Sequence, residues 1–281
     1  MIVLIALLLG PVQGLCEFLP VSSSGHLYLV SVLSKNAVNE DYFGSFFTVM
    51  LHVATLIAVL FVYREQVLSI LKKPFQKLTL YLIVATLPTV AFALILKKWD
   101  ALDQWLEEGN LLGVCFLLTA VFLTASELLS RRRKPKKSIE TMRLTDALVI
   151  GGMQAIGVLK GVSRSGSTIA GALGCRMDRK SAADFSFLLS IPAILGGLVL
   201  ELYKMVKEPA AFTVDFTFGA AMILAMLVAA ISGYFAMRFM IRLITSRGLF
   251  GFAIYTAVLG IAVIVLQLTK TLGFGFTPFG G

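Results

Sequence analysis

The chain has 281 residues, 58% of them hydrophobic and only 15% charged, with a mean hydropathy of +0.88. That balance is too apolar and too sparsely charged for a soluble globular domain and points to a polytopic membrane protein. The net charge of +9 would suit nucleic acid, but six cations crowd into the seven residues Arg131–Lys137 between apolar runs, which reads as a cytoplasmic loop and argues against a nucleic-acid partner.

Met1–Gly10 is apolar like a signal-peptide core. It has no basic start and no small-residue cleavage site, and Gln13 and Glu17 follow at once, so it is read as part of the mature protein. Six later runs are long enough, at roughly 20 residues, to cross a bilayer: Phe43–Tyr63, Leu78–Leu96, Leu111–Ser130, Phe185–Tyr203, Phe216–Met237 and Gly248–Leu268. The loops between them alternate in charge. Arg64–Lys77 carries four cations against Glu65 and is expected inside, as is Arg131–Arg143. Lys97–Asn110 carries Asp100, Asp103, Glu107 and Glu108 and is expected outside. Glu201–Asp215 is nearly balanced, and Arg238, Arg242 and Arg247 mark a further inside turn.

Those sides make residues 1–42 begin and end outside, and residues 144–183 begin and end inside. Each segment is therefore expected to be a re-entrant helical hairpin, entered from opposite faces. The fold class that follows is an all-α polytopic membrane protein built as an inverted-topology repeat, with six transmembrane helices plus two re-entrant helical hairpins. It forms one membrane domain over 1–281: a first half-repeat at about 1–130, a cytoplasmic basic linker at 131–143, a second half-repeat at about 144–268, and a tail at 269–281. Ordinary short spans with small-residue packing faces such as Gly166–Gly174 are the alternative, and they leave Glu17, His26 and Arg164 unexplained in hydrocarbon.

A sequence repeat agrees with the charge pattern. Aligned without a gap, the stretch from Gln13 to His26 and the stretch from Gln154 to Ser167 share Gln13/Gln154, Val21/Val162, Ser22/Ser163, Ser24/Ser165 and Gly25/Gly166. Each copy is a polar, Ser/Gly-rich turn between short apolar segments, which survives at membrane depth only when buried in protein or lining a wet cavity. Paired broken segments in two halves point to a binding site between them.

The residue types suggest phosphate chemistry. Ser22, Ser23, Ser24 and Gly25 offer hydroxyls and turn N–H groups suited to an anion, and a helix that starts there aims its positive end at the site. Ser163, Ser165, Gly166 and Thr168 repeat the pattern around Arg164, whose guanidinium matches phosphate through bidentate hydrogen bonds. Gly161–Thr168 is one residue from a nucleotide phosphate loop, but Ser167 replaces the lysine and no strand precedes it. Gln13 and Glu17, four apart on one helix face, form a plausible partial shell for a divalent cation, Mg²⁺ or Ca²⁺. His26 is a candidate acid, base or nucleophile, while His52 reads as a packing residue that borders the same pocket. Glu127 is expected to reach the membrane interface, Asp184 to cap a helix starting at Phe185, and Trp99 and Trp105 to anchor the outer interface. Cys16, Cys115 and Cys175 show neither metal spacing nor a disulfide framework.

The motif Gln13-Gly-Leu-Cys-Glu17-Phe-Leu-Pro-Val-Ser-Ser-Ser-Gly-His26 resembles the first signature of the undecaprenyl-diphosphate phosphatase (bacitracin-resistance) family. Gly161-Val-Ser-Arg-Ser-Gly166, followed by Asp184-Phe-Ser-Phe-Leu-Leu, is similar to the second. The likeness runs along essentially the whole chain, with departures at Lys160, usually proline, and at Gln13, glutamate in some members. The resemblance implies hydrolysis of a polyprenyl diphosphate lipid to the monophosphate that carries cell-wall precursors. It also implies a multi-pass protein of the bacterial inner membrane whose site opens to the extracytoplasmic side. Glu17, Ser23, His26 and Arg164 are then the expected catalytic residues, with Ser23 the preferred nucleophile; attack by His26 or by a metal-activated water stays open. Self-association into a homo-oligomer is left open too.

Two other readings bear comparison. A type-2 phosphatidate-phosphatase-like enzyme would share the Ser-Gly-His and Ser-Arg fragments but needs a histidine six residues after the arginine, where this chain has Ala170. A transporter or flippase for a lipid phosphate or other anion is the rival from another class, since inverted repeats with broken helices are a transporter architecture.

Overall fold

The computed structural model describes residues 2–34, 45–207, 216–271 and 274–275. Among these the chain forms twelve α-helices and no β-strand, with one isolated parallel bridge between Lys137 and Met177. In chain order they are α1 (Ile2–Phe18), α2 (Ser23–Ser34), α3 (Ser45–Val62), α4 (Arg64–Lys72), α5 (Lys77–Lys97), α6 (Asp100–Glu107), α7 (Leu112–Arg132), α8 (Leu144–Ile156), α9 (Arg164–Gly174), α10 (Arg179–Lys207), α11 (Phe216–Ser246) and α12 (Phe250–Thr269).

Five helices, α5, α7, α10, α11 and α12, are long and apolar enough to cross a membrane. The α3–α4 pair, bent by 84°, makes a sixth if counted as one span. All six expected spans thus fall on helices, although Phe43 and Gly44 lie outside the described residues, as does most of the tail from Gly273. The outward faces explain why. Leu80, Ile83, Leu87, Val90 and Leu94 of α5 form one exposed stripe at helical spacing, and Ile254, Val258, Ile261, Val265 and Leu268 of α12 form another. Continuous apolar surface of that extent is normal only against lipid. The chain is a multi-pass membrane protein.

Two expectations are corrected. The helix expected from Phe185 begins at Arg179, because Asp178 rather than Asp184 takes the capping role, its Oδ1 accepting from Ser181 N at 2.9 Å. Asp184 lies inside α10 and accepts from Tyr63 O–H at 2.7 Å and Lys180 Nζ at 2.8 Å. Glu127 does not reach the interface. It is 1% exposed and accepts two bonds from Arg179 and one from Arg131 Nε, each 2.8 Å, and one from Leu249 N at 3.1 Å. One carboxylate thereby ties α7, α10 and the start of α12 together.

The helices pair in a pattern that centres the two serine-rich turns. α1 lies along α11, α8 along α5, α7 along α12, and α3 against both α10 and α11. The α1–α11 approach is close enough that a Cβ on Gly14 would meet Ser232 Oγ at 2.0 Å and the Ala229 carbonyl at 2.4 Å. At the inner end of α1, Phe18 is fully buried and meets Phe187 edge-on, ring centroids 5.5 Å apart. Phe185, Leu188, Leu189, Ile150 and Ile169 complete the core beneath the turns.

Candidate active site

Each turn is built by the same local chemistry. In the first, Ser22 adopts a left-handed backbone (φ 72°). Its Oγ accepts from Gly25 N at 3.2 Å and lies 3.4 Å from Ser24 Oγ. In the second, Ser163 Oγ accepts from Gly166 N at 3.0 Å and lies 3.3 Å from Ser165 Oγ, with Gly161 supplying the positive φ of 100°. The serine in both cases satisfies an N–H that the first turn of its helix leaves without a partner. The two turns touch: Ser165 Oγ donates to the Leu19 carbonyl at 3.2 Å, and a Cβ on Gly25 would sit 3.1 Å from Gly161 Cα.

Glu17 is the centre of the contact. It is 4% exposed, and one of its oxygens, Oε1, accepts from Arg164 Nη2 across the two turns. The other, Oε2, accepts from Ser23 Oγ at 2.7 Å and from Gln13 Nε2 at 3.1 Å, with His52 Nδ1 3.2 Å away. Gln13 Nε2 also meets His52 Nδ1 at 2.8 Å. Its two N–H groups can serve both partners, in which case the imidazole nitrogen is the acceptor. His52, expected only to border the pocket, is in direct contact with two of its residues.

His26 stands apart from this cluster. Its Nδ1 is 2.7 Å from the Ser22 carbonyl and its Nε2 is 2.7 Å from Tyr255 O–H, with the Tyr255 ring stacked on it at 5.7 Å and Phe116 edge-on at 5.5 Å. A carbonyl can only accept, so Nδ1 carries the proton, and Nε2 receives the tyrosine hydroxyl. His26 makes no hydrogen bond to Glu17, Ser23 or Arg164. It holds the left-handed Ser22 turn from the side. Tyr255 comes from α12, and no local motif marked it in the sequence.

The remaining expected residues divide. Ser24 and Ser165 lie on the cradle beside Ser22 and Ser163. Thr168 does not point a free hydroxyl at it: Oγ1 donates back to the carbonyls of Arg164 or Ser165, at 2.9 and 3.1 Å, and meets Ser186 Oγ of α10, fixing the start of α9. Lys160 reaches sideways. Its Nζ pairs with Glu107 Oε2 at 2.8 Å and sits 4.8 Å over the Tyr28 ring, whose hydroxyl donates to the Glu108 carbonyl. The second turn is thereby strapped to the α6–α7 connection.

Three nitrogen groups and one hydroxyl, those of Arg164, Gln13, His52 and Ser23, surround Glu17, and the Gln13 carbonyl oxygen is buried without a hydrogen-bond partner, which leaves the carboxylate and that amide oxygen as the hard oxygen donors of the site. A hard cation suits such a set. Among the described residues no group of three His, Cys, Asp or Glu side chains is placed to hold a metal ion. A cation held here would find one carboxylate, one amide oxygen and the neighbouring serine hydroxyls as its protein ligands.

The chain matches the family described as bacitracin resistance protein BacA over residues 6–262. It is 39% identical over 263 residues to an undecaprenyl-diphosphatase of Carboxydothermus hydrogenoformans, covering 93% of this chain and 96% of the relative. It is 38% identical to undecaprenyl-diphosphatase 3 of Bacillus cereus, with 94% and 97% covered, and 36% identical to an undecaprenyl-diphosphatase of Treponema denticola, with 92% and 96% covered. With near-complete coverage on both sides, the chain belongs to the bacitracin resistance protein BacA family.

Proposed function

We propose that the protein hydrolyses undecaprenyl diphosphate to undecaprenyl phosphate and inorganic phosphate. The observation that carries this is the placement of Ser23 Oγ and Arg164 Nη2 on the two oxygens of one buried carboxylate, Glu17. A hydroxyl hydrogen-bonded to a carboxylate is an activated nucleophile, and a guanidinium beside it is positioned to neutralise a phosphoryl group in flight. Ser23 Oγ attacks the terminal phosphorus and passes its proton to Glu17. The bond from that phosphorus to the bridging oxygen breaks, and the lipid monophosphate leaves with the bridging oxygen. Water then cleaves the phosphoserine, restoring Ser23 and releasing phosphate. Arg164 carries five N–H donors, so it can turn towards the substrate phosphate while freeing Glu17 to take the proton. Ser22, Ser24, Ser163 and Ser165 border the phosphate, and Gly25 and Gly166 let the two turns close on each other. His26, held by Ser22 and Tyr255, keeps the first turn in its left-handed shape.

A divalent cation, Mg²⁺ or Ca²⁺, fits at Glu17 and the unpartnered Gln13 oxygen. When bound it would neutralise diphosphate charge; the residue roles above stand on the protein's own groups.

The same reading takes α1–α2 and α8–α9 as re-entrant hairpins of an inverted repeat. α8 has 13 residues and spans about 20 Å, short of the ~30 Å hydrocarbon core. The pairing of α1 with α11 has its counterpart in that of α8 with α5, as a two-fold relation between the halves requires. The acidic stretch from Asp100 to Glu108 and the basic stretch from Arg131 to Lys137 support a site that opens to the extracytoplasmic side of the bacterial inner membrane. Transport draws support from this architecture alone, whereas the Ser23–Glu17–Arg164 contact favours phosphoryl chemistry.

The test is phosphate release from undecaprenyl diphosphate by purified protein, with wild type compared against Ser23→Ala and Arg164→Ala. Release by wild type, lost in both variants, supports the reading. No release from well-folded wild type across pH and divalent cations overturns it.

A further inference from the structure

Away from the serine-rich turns, the elbow between α3 and α4 has features of a second site. The chain bends by 84° at Tyr63, and no residue of α4 is buried. Leu68 and Leu71 are 51% and 72% exposed, and Phe75 beyond them is fully exposed; Arg64 lies one turn before Leu68 on the same side, while Glu65, Gln66, Lys72 and Lys73 supply a polar face. A short helix of that kind, following a spanning helix at a right angle, lies in the membrane–water boundary with its apolar face in the lipid.

Between this elbow and α11 is a cavity of about 260 Å³, lined by Phe61, Val62, Arg64, Glu65, Gln66, Tyr234 and Arg238. Two of its lining residues are aromatic, and the Phe61 and Tyr234 rings meet edge-on at 5.8 Å. A guanidinium covers each ring, Arg64 at 5.9 Å from Phe61 and Arg238 at 5.0 Å from Tyr234. Among the described residues neither arginine forms an ion pair, Glu65 included. Phe235 and Phe239, 62% and 54% exposed, continue from the cavity along the lipid-facing side of α11.

We propose that this cavity binds the phosphate of an acidic glycerophospholipid, held between Arg64 and Arg238 with its acyl chains along Phe235 and Phe239. Two unpaired guanidiniums complement a phosphodiester. The exposed Phe235 and Phe239 rings and the apolar face of α4 complement the hydrocarbon of a lipid, which a free phosphate would not use. Basic residues near a membrane surface attract acidic lipid in any case, but here two of them line one concave place beside two aromatic rings. The site lies on the side that the charge pattern assigns to the cytoplasm, on a different helix pair from the serine-rich turns.

The test uses the purified full-length chain in detergent. It is titrated with dioleoyl phosphatidylglycerol, dioleoyl phosphatidylcholine or inorganic phosphate, and read by thermal unfolding midpoint and by native mass spectrometry of bound lipid. The expected result is saturable stabilisation by phosphatidylglycerol alone, with apparent affinity falling about tenfold or more in Arg64→Gln/Arg238→Gln. Arg132→Gln/Arg133→Gln, which removes exposed basic charge elsewhere on the same side, should leave that affinity unchanged. Equal response to phosphatidylcholine overturns the proposal, as does full reproduction of the effect by inorganic phosphate. An undiminished phosphatidylglycerol response in Arg64→Gln/Arg238→Gln also overturns it. If that double variant does not survive purification, the single Arg238→Gln decides by the same comparison, with Arg238→Lys expected to recover part of the affinity.

Discussion

Ser23 and Arg164 occupy the same position in the two copies of the repeated turn, and they bond to opposite oxygens of Glu17. Repetition alone would bring two like residues together. Divergence at this one position has instead placed a hydroxyl on one side of the carboxylate and a guanidinium on the other. Removing the guanidinium should therefore do two separable things. Arg164→Ala is expected to lower kcat by at least about 10²–10³-fold, the loss typical of one transition-state donor. It should also destabilise the protein, by about 3–5 kcal/mol, because Glu17 is left buried without its cation. Adding Glu17→Gln to Arg164→Ala should recover much of the thermal stability and none of the activity. Thermal unfolding and phosphate release on the same samples check both halves.

The serines of the first turn should separate by role. Ser23→Ala removes the proposed nucleophile and is expected to abolish turnover while leaving the fold intact, since its hydroxyl bonds only to Glu17. Ser22→Ala removes the acceptor for Gly25 N and should cost about 1 kcal/mol of stability, with activity reduced in part. Rapid-quench labelling with radioactive terminal phosphate should trap label on Ser23 in wild type. Label on His26, or none at any time before steady state, would replace the serine mechanism.

How much of this was legible in the sequence follows from how local each cause is. The turns were, because Ser22 with Gly25 and Ser163 with Gly166 are capping pairs within four residues and appear twice. That Glu17 and Arg164 share one site was legible as well, since the repeat brings their two turns together; the direct contact between them is seen only in the fold. Tyr255 was not: its only link to the site is a bond to His26 from the far end of the chain, and its own helix shows nothing but apolar periodicity. Glu127 was misread for the same reason. Its position one turn from a helix end suggested the interface, and the partners that bury it, Arg179 and Leu249, come from two other elements. The start of α10 was a different failure. Asp178 is an ordinary helix cap, but the hydropathy that marks a span begins only at Phe185, and the polar first turn was assigned to the preceding hairpin segment, 144–183.

Gln13 offers a direct test of the cation. Its buried carbonyl oxygen lacks a donor, so Gln13→Glu adds a second carboxylate where one more hard ligand is called for. Half-maximal activation by Mg²⁺ or Ca²⁺ should shift to lower concentration, and Gln13→Ala should shift it higher. Metal titrations of phosphate release after chelator treatment provide the measurement. Activation curves that coincide for all three proteins would remove Gln13 from the cation's surroundings.

The role of His26 can be read through its partner. Tyr255→Phe keeps the ring that stacks on the imidazole and removes only the hydroxyl that reaches Nε2. If His26 positions the Ser22 turn, the variant should lose about 0.5–1.5 kcal/mol of stability. Its kcat should fall several-fold with the shape of the pH profile unchanged. If His26 were instead the base for Ser23, freeing Nε2 would leave kcat undiminished and move the acid limb of the profile. Steady-state rates across pH for wild type, Tyr255→Phe and His26→Ala separate the two.

Glu127 should behave as a structural tie with no part in the reaction. Its carboxylate accepts four bonds, three from guanidiniums and one from the first turn of α12, and it is shielded from solvent. Glu127→Ala leaves Arg179 without its bidentate partner and exposes an unpaired N–H at Leu249, so a loss of about 3–5 kcal/mol is expected. Glu127→Gln keeps the volume and one acceptor and should cost less. Gly248→Ala tests the same joint from the backbone side: Gly248 has φ 80°, and an added Cβ would meet the Glu127 carboxylate at 2.6 Å. It should destabilise the protein even though it removes no hydrogen bond. In all three variants the fraction that remains folded should retain near-wild-type KM, because the tie lies about two turns along α7 from Thr119, which supports the second turn by accepting from Ser163 N at 3.0 Å. A raised KM in folded Glu127→Gln would mean that the joint is coupled to the site after all, with α7, carrying both Thr119 and Glu127, as the connecting element.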